Sequence, residues 1–123
     1  MSIARDSLAF SFSAFSFQLS AFVPWLLPTT EKFPKKVRLT LSNRIDNLAL
    51  DVAMTLTEAQ YTKSPANHIR QTNLLLTKLR ILLRLSHALT FLPHKQYEYA
   101  SRKIDEVGHM IGAWGKMGDT LGG

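Results

Sequence analysis

The sequence predicts an all-α antiparallel four-helix bundle. Three observations carry that expectation. Proline and glycine fall at only a few places (Pro24 and Pro28, Pro34, Pro65, Pro93, and the glycines after 107), and they cut the chain into four segments of helical length. Apolar residues recur at intervals of three and four within those segments. No strand-plus-turn hairpin signal, internal repeat or glycine-rich phosphate loop interrupts them.

The first segment, about 7–27, contains no charged residue. Leu8, Phe12, Phe15, Leu19 and Phe22 step by four and three, which gives one apolar face. Five serines, Gln18 and Pro24 make it a poor hydrocarbon-facing helix, although its length suits a membrane span. A secretory signal peptide ending near Ala21 is the main rival, weakened by Asp6 beside Arg5. The expectation is a retained first helix in a cytoplasmic protein without a membrane partner.

The second segment runs from about Lys35 to Tyr61, with Pro34 in its first turn. Leu41, Ile45, Leu48, Val52, Leu56 and Ala59 form its buried stripe. The third opens at Ser64-Pro65 and runs to about Leu92. Its expected core stripe is Leu75, Leu79, Leu82, Leu83 and Leu89. Leu74, Ile81, Leu85 and Leu92 make a second apolar stripe, more than a bundle helix needs, and are assigned to a subunit interface. The fourth opens at Pro93, carries Tyr97, Ala100, Ile104, Val107, Ile111 and Trp114 as its seam, and is expected to end at Gly115 and Gly118. Gly108 and Gly112, four apart, are expected to admit close packing inside the bundle. All 123 residues thus read as one domain, with a short tail over 117–123.

Composition narrows the function. The chain has no cysteine, which excludes a disulfide scaffold, a thiolate metal site and a cysteine nucleophile. Its net charge is +6 and its pI about 9.9, which points to an anionic partner, nucleic acid first. Lys32, Lys35, Lys36, Arg38 and Arg44 lie between Glu31 and Asp46 with no acid among them. Lys63, Arg70, Lys78, Arg80, Arg84 and Lys95 lie likewise between Glu58 and Glu98. On a 100° wheel Arg70, Asn73, Thr77, Arg80, Arg84 and His87 share one stripe, so the three arginines and His87 face one anionic surface. Planar guanidinium forks suit phosphate, and such a stripe binds nucleic-acid backbone with strong salt dependence. Lys35, Lys36, Arg38, Lys78, Arg102 and Lys103 complete the candidate binding set.

Catalysis finds no support in these residues. Glu106-x-x-His109 has the spacing of half a di-iron site, but no second copy exists. There is no nucleophile elbow and no supported acid pair, and neither cofactor nor metal is called for.

Four stretches carry a resemblance. Pro28-Thr29-Thr30-Glu31-Lys32-Phe33-Pro34 leads into Arg38. Leu79-Arg80-Ile81-Leu82-Leu83-Arg84-Leu85-Ser86-His87 is followed by Lys95-Gln96-Tyr97-Glu98. Asp105-Glu106-Val107-Gly108-His109-Met110-Ile111-Gly112-Ala113-Trp114 closes the helical part. Over about 23–116 the chain resembles the accessory variability determinant proteins of diversity-generating retroelements. These are small basic four-helix bundles related to proteins of 23S rRNA intervening sequences. The resemblance implies a homopentameric ring around a pore, no catalytic activity of its own, and binding of the retroelement's reverse transcriptase and template RNA in support of error-prone cDNA synthesis and retrohoming. A four-helix interaction protein of the intervening-sequence type, without a reverse-transcriptase partner, is the alternative. The chain departs from the family pattern at His109, where arginine is frequent, and in its Phe/Ser-rich first twenty residues.

Overall fold

The computed structural model describes the backbone of residues 3–120 and the side chains of 13–114. Its helices are α1 (Ile3–Glu31), a short α2 (Lys35–Val37), α3 (Asn43–Tyr61), α4 (Ala66–Ala88) and α5 (His94–Thr120). A π-helical turn, Arg38–Ser42, joins α2 to α3. α4 packs between α3 and α5, and α1 packs against both of those on the other side. Each neighbouring pair runs antiparallel, as short connections require. Phe15 meets Trp114 edge-on with ring centroids 5.2 Å apart, while Trp25 meets Tyr99 at 4.5 Å, so α1 descends as α5 climbs.

Apolar periodicity sets the core. Phe15, Phe22 and Leu26 of α1 are buried against Ile45, Val52, Leu56 and Ala59 of α3 and Ala100, Ile104, Val107, Ile111 and Trp114 of α5. The expected stripes of α3 and α5 are thus the buried ones, with Leu41, Leu48 and Tyr97 at their half-buried edges. Leu8 and Phe12 lie outside the residues whose side chains are described.

Five expectations are corrected. α1 continues through Pro24 and Pro28 to Glu31. Both prolines sit exposed, one turn apart, where water can satisfy the carbonyls that their missing N–H groups leave free. The second segment is not one regular helix. Pro34 is extended (ψ 140°) rather than in the first turn, Val37 departs from helical angles, and the π turn inserts a residue that leaves Leu39 on the outside. α5 does not stop at Gly115 and Gly118 but runs to Thr120, past the start of the expected tail.

The fourth correction concerns α4. Its buried stripe is Ile69, Thr72, Leu76, Leu79, Leu83 and Ser86. Thr72 and Ser86 can be buried because each hydroxyl donates to a carbonyl one turn back, His68 and Leu82, at 2.7 Å. The core face therefore lies over Leu76 and these two hydroxyls, with Leu75 and Leu82 at its half-buried edge. Leu89, expected in the core, is 53% exposed, because the helix ends before it in a Schellman cap. There Thr90 N–H donates to His87 O at 3.0 Å and Phe91 N–H to Ser86 O at 2.9 Å.

Leu92 is also corrected. It is 2% exposed within this single chain, so it fills the chain's own core rather than a subunit interface. The cap turns the backbone inward after Thr90, and Phe91 packs near Phe33 with centroids 6.1 Å apart. Leu74, Ile81 and Leu85 do face outward from α4, at 55%, 50% and 48% exposure.

Candidate nucleic-acid interface

The stripe of α4 that carries the arginines lies beside α5. Along it Arg70 and Arg84 are separated by about 21 Å of helix rise. Arg70 Nη2 donates to Asn67 Oδ1 on its own helix. Arg80 is half-buried, and its Nη2 lies 3.5 Å from Asp105 Oδ1 on α5. Arg84 is exposed and lines, with Arg80, Tyr97, Ser101 and Asp105, a groove of about 220 Å³ between the two helices. His87 stacks on Tyr97 with centroids 4.4 Å apart and planes at 12°. Its Nε2 lies 3.3 Å from His94 Nδ1, and His94 Nε2 pairs with Glu98 Oε1 at 2.7 Å.

α4 itself carries no acid, as its sequence shows, yet its stripe is not left without one. The acid comes from the neighbouring helix. Asp105 is not legible as a partner in the sequence, because cross-helix pairing depends on the rotation of α5 against α4, not on spacing within either.

The other candidates divide among three places. Lys35, Lys36 and Arg38 are exposed at the corner after α1, where Arg38 Nε donates to Phe33 O at 3.2 Å. The Phe33–Phe91 contact sets this corner beside the α4–α5 corner, so the basic α2 turn and the His87 end of α4 occupy the same end of the bundle. Lys78 lines a second groove, between α3 and α4, with Arg44, Asn47, Asp51 and Ile81. Arg102 and Lys103 lie on the α1 side of α5, with their charged groups 5.9 Å and 5.8 Å from the Tyr99 ring. Lys103 Nζ is also 3.6 Å from Glu106 Oε2. These two cations do not join the α4 stripe.

Burial perturbs the Asp46 carboxylate. Desolvation raises its pKa, and a hydrogen bond from Thr30 partly offsets the rise. Among the described residues no group of three or more His, Asp and Glu is placed to hold a metal, so Glu106 and His109 gather no further ligand. Nor is any helix among them long and apolar enough to cross a membrane.

The geometry suits electrostatic contact with a polyanion: guanidinium forks along a groove, with a second basic turn at the same end. No curated protein and no solved structure matches the chain. A family model described as bAvd-like matches residues 15–117, which takes in all of α2, α3 and α4 and most of α1 and α5. The chain belongs to the bAvd-like family.

Proposed function

We propose that the protein is a non-enzymatic accessory subunit of a diversity-generating retroelement. It binds the element's template RNA by backbone phosphate contact, binds the reverse transcriptase, and supports mutagenic cDNA synthesis and retrohoming in the cytoplasm. The observation that supports this best is the basic α4–α5 groove on a bundle of the bAvd-like family. Lys35, Lys36, Lys78 and Arg84 are exposed and, among the described residues, in no ion pair, so they can exchange counterions for phosphates.

Assembly belongs to the same proposal. Leu74, Ile81 and Leu85 present an apolar stripe to the outside of α4, and Leu50 and Met54 do so on neighbouring α3. The exposed apolar stripe of α4 marks an interaction face. A homo-oligomeric ring, a pentamer by family resemblance, buries it between subunits.

Co-purification tests the reading. The tagged chain should bring down a reverse transcriptase together with RNA from cells carrying the element. An oligomer that recovers neither contradicts it and fits an interaction protein of the rRNA intervening-sequence type instead.

A further inference from the structure

We propose that the groove between α4 and α5 seats a single backbone phosphodiester of the bound strand, and that Gly108 is the positioning residue that sets Arg80 within it. The inference rests on the nucleic-acid reading above and assigns that reading's phosphate contact to one place and one charge type.

Gly108 lies on the face of α5 that meets α4. A Cβ built there would stand 2.5 Å from Arg80 Nη2 and 3.6 Å from Leu76 Cδ2. The Arg80 guanidinium therefore occupies the space a side chain would take, reaching across α5 to Asp105. One of its five N–H donors faces that carboxylate at 3.5 Å, which leaves the other donors for a ligand. Arg84 and the Ser101 hydroxyl line the same groove, and Tyr97 forms one wall.

Charge selects the ligand. Two guanidinium groups and one carboxylate leave the groove with one net positive charge. A phosphodiester carries one negative charge and balances it. A phosphate monoester or inorganic phosphate carries about 1.5 to 2 at neutral pH and would meet the Asp105 carboxylate with charge unmatched. The groove is thus suited to a link within a strand rather than to a free or terminal phosphate.

Gly112, one turn further along α5, supplies the control. Nothing lies within 4 Å of a Cβ built there. Gly108→Ala and Gly112→Ala remove the same backbone freedom from the same helix, but only the first displaces Arg80. The clash is with the tip of a flexible side chain, so α4 and α5 can stay packed while the fork moves.

The experiment measures binding of a mixed-sequence single-stranded RNA by fluorescence anisotropy over a salt series, with circular dichroism on each variant. Gly108→Ala is expected to bind about fivefold or more weakly, with a salt slope shallower by about 0.7, while Gly112→Ala binds like the parent. Inorganic phosphate, added at constant ionic strength, should leave the complex intact. Equal affinities for the two glycine variants overturn the inference, and so does displacement by inorganic phosphate. If the parent itself fails to bind RNA, the nucleic-acid reading falls and the groove assignment falls with it. Should Gly108→Ala fail to fold, Arg80→Lys keeps the charge and removes the fork. The same loss in that variant supports the inference, and parent-like affinity overturns it.

Discussion

The Thr30 hydroxyl donates to Asp46 Oδ1 across 2.6 Å, tying the last turn of α1 to the first turn of α3. The Ser42 hydroxyl donates in turn to the Thr30 carbonyl at 2.9 Å. These two bonds brace the corner that carries Lys35, Lys36 and Arg38, so the basic turn is held by the bundle rather than hung from it. Burial disfavours the Asp46 carboxylate, and the Thr30 bond recovers part of that penalty.

A stability dependence on pH follows, with a definite sign. The folded chain holds the Asp46 proton more tightly than the unfolded chain, whose carboxyl has the ordinary value of 3.8. Its contribution is therefore most favourable at acid pH and declines as pH rises through the folded value. Asp46→Asn should gain stability relative to the parent at neutral pH, and the gain should vanish in acid. Thr30→Val should lose about 1–2 kcal/mol at neutral pH, because it leaves the carboxylate without its donor. Urea denaturation of the three proteins at neutral and acid pH measures both effects.

Thr90 offers a second test. It takes φ 67° at the position of the α4 cap where glycine is usual, and a β-branched residue is strained there. Thr90→Gly should raise stability by about 1 kcal/mol, read as a shift of a few degrees in Tm by calorimetry. A fall in Tm would mean that the Thr90 side chain supports the corner.

The outward stripe of α4 and the buried Leu92 should respond differently to charge. Ile81→Glu or Leu85→Glu should leave the helical circular-dichroism signal intact and reduce the proposed oligomer to monomer in light scattering, because each side chain is half exposed in the single chain. Leu92→Glu should unfold the protein, by several kcal/mol, because it places a charge in the core. An unchanged oligomer in both surface variants would remove the stripe from the interface.

How far the sequence can be read depends on which interactions are local. The seams of α3 and α5 are legible because Ile45, Val52 and Leu56, and Ile104, Val107 and Ile111, repeat at helical spacing and little competes with them. The face of α4 is not, because several apolar stripes compete around one leucine-rich helix. The deciding residues are Thr72 and Ser86, whose hydroxyls bond to their own backbone and tolerate burial. Leu92 escapes the periodicity because the helix stops first, at a cap that no glycine announces. The arginines of the candidate site are visible on the wheel. Asp105 and the space above Gly108 are not, since both depend on how α5 is rotated against α4.

The central claim is that the arginine stripe of α4 holds a nucleic-acid strand by its phosphates, and filter binding of RNA to Arg80→Glu/Arg84→Glu over a salt series tests it most directly. Neither side chain belongs to the buried core, so the double variant should fold, as circular dichroism will show. Two phosphate contacts are removed and two repulsions added, and the reversed charge at position 80 also faces the Asp105 carboxylate. Affinity should fall by orders of magnitude, and the slope of log K against log salt should flatten by about 1.4, with little dependence on RNA sequence. A folded double variant that binds RNA with the parent's affinity and the parent's slope would contradict the claim and make the stripe a solvated face.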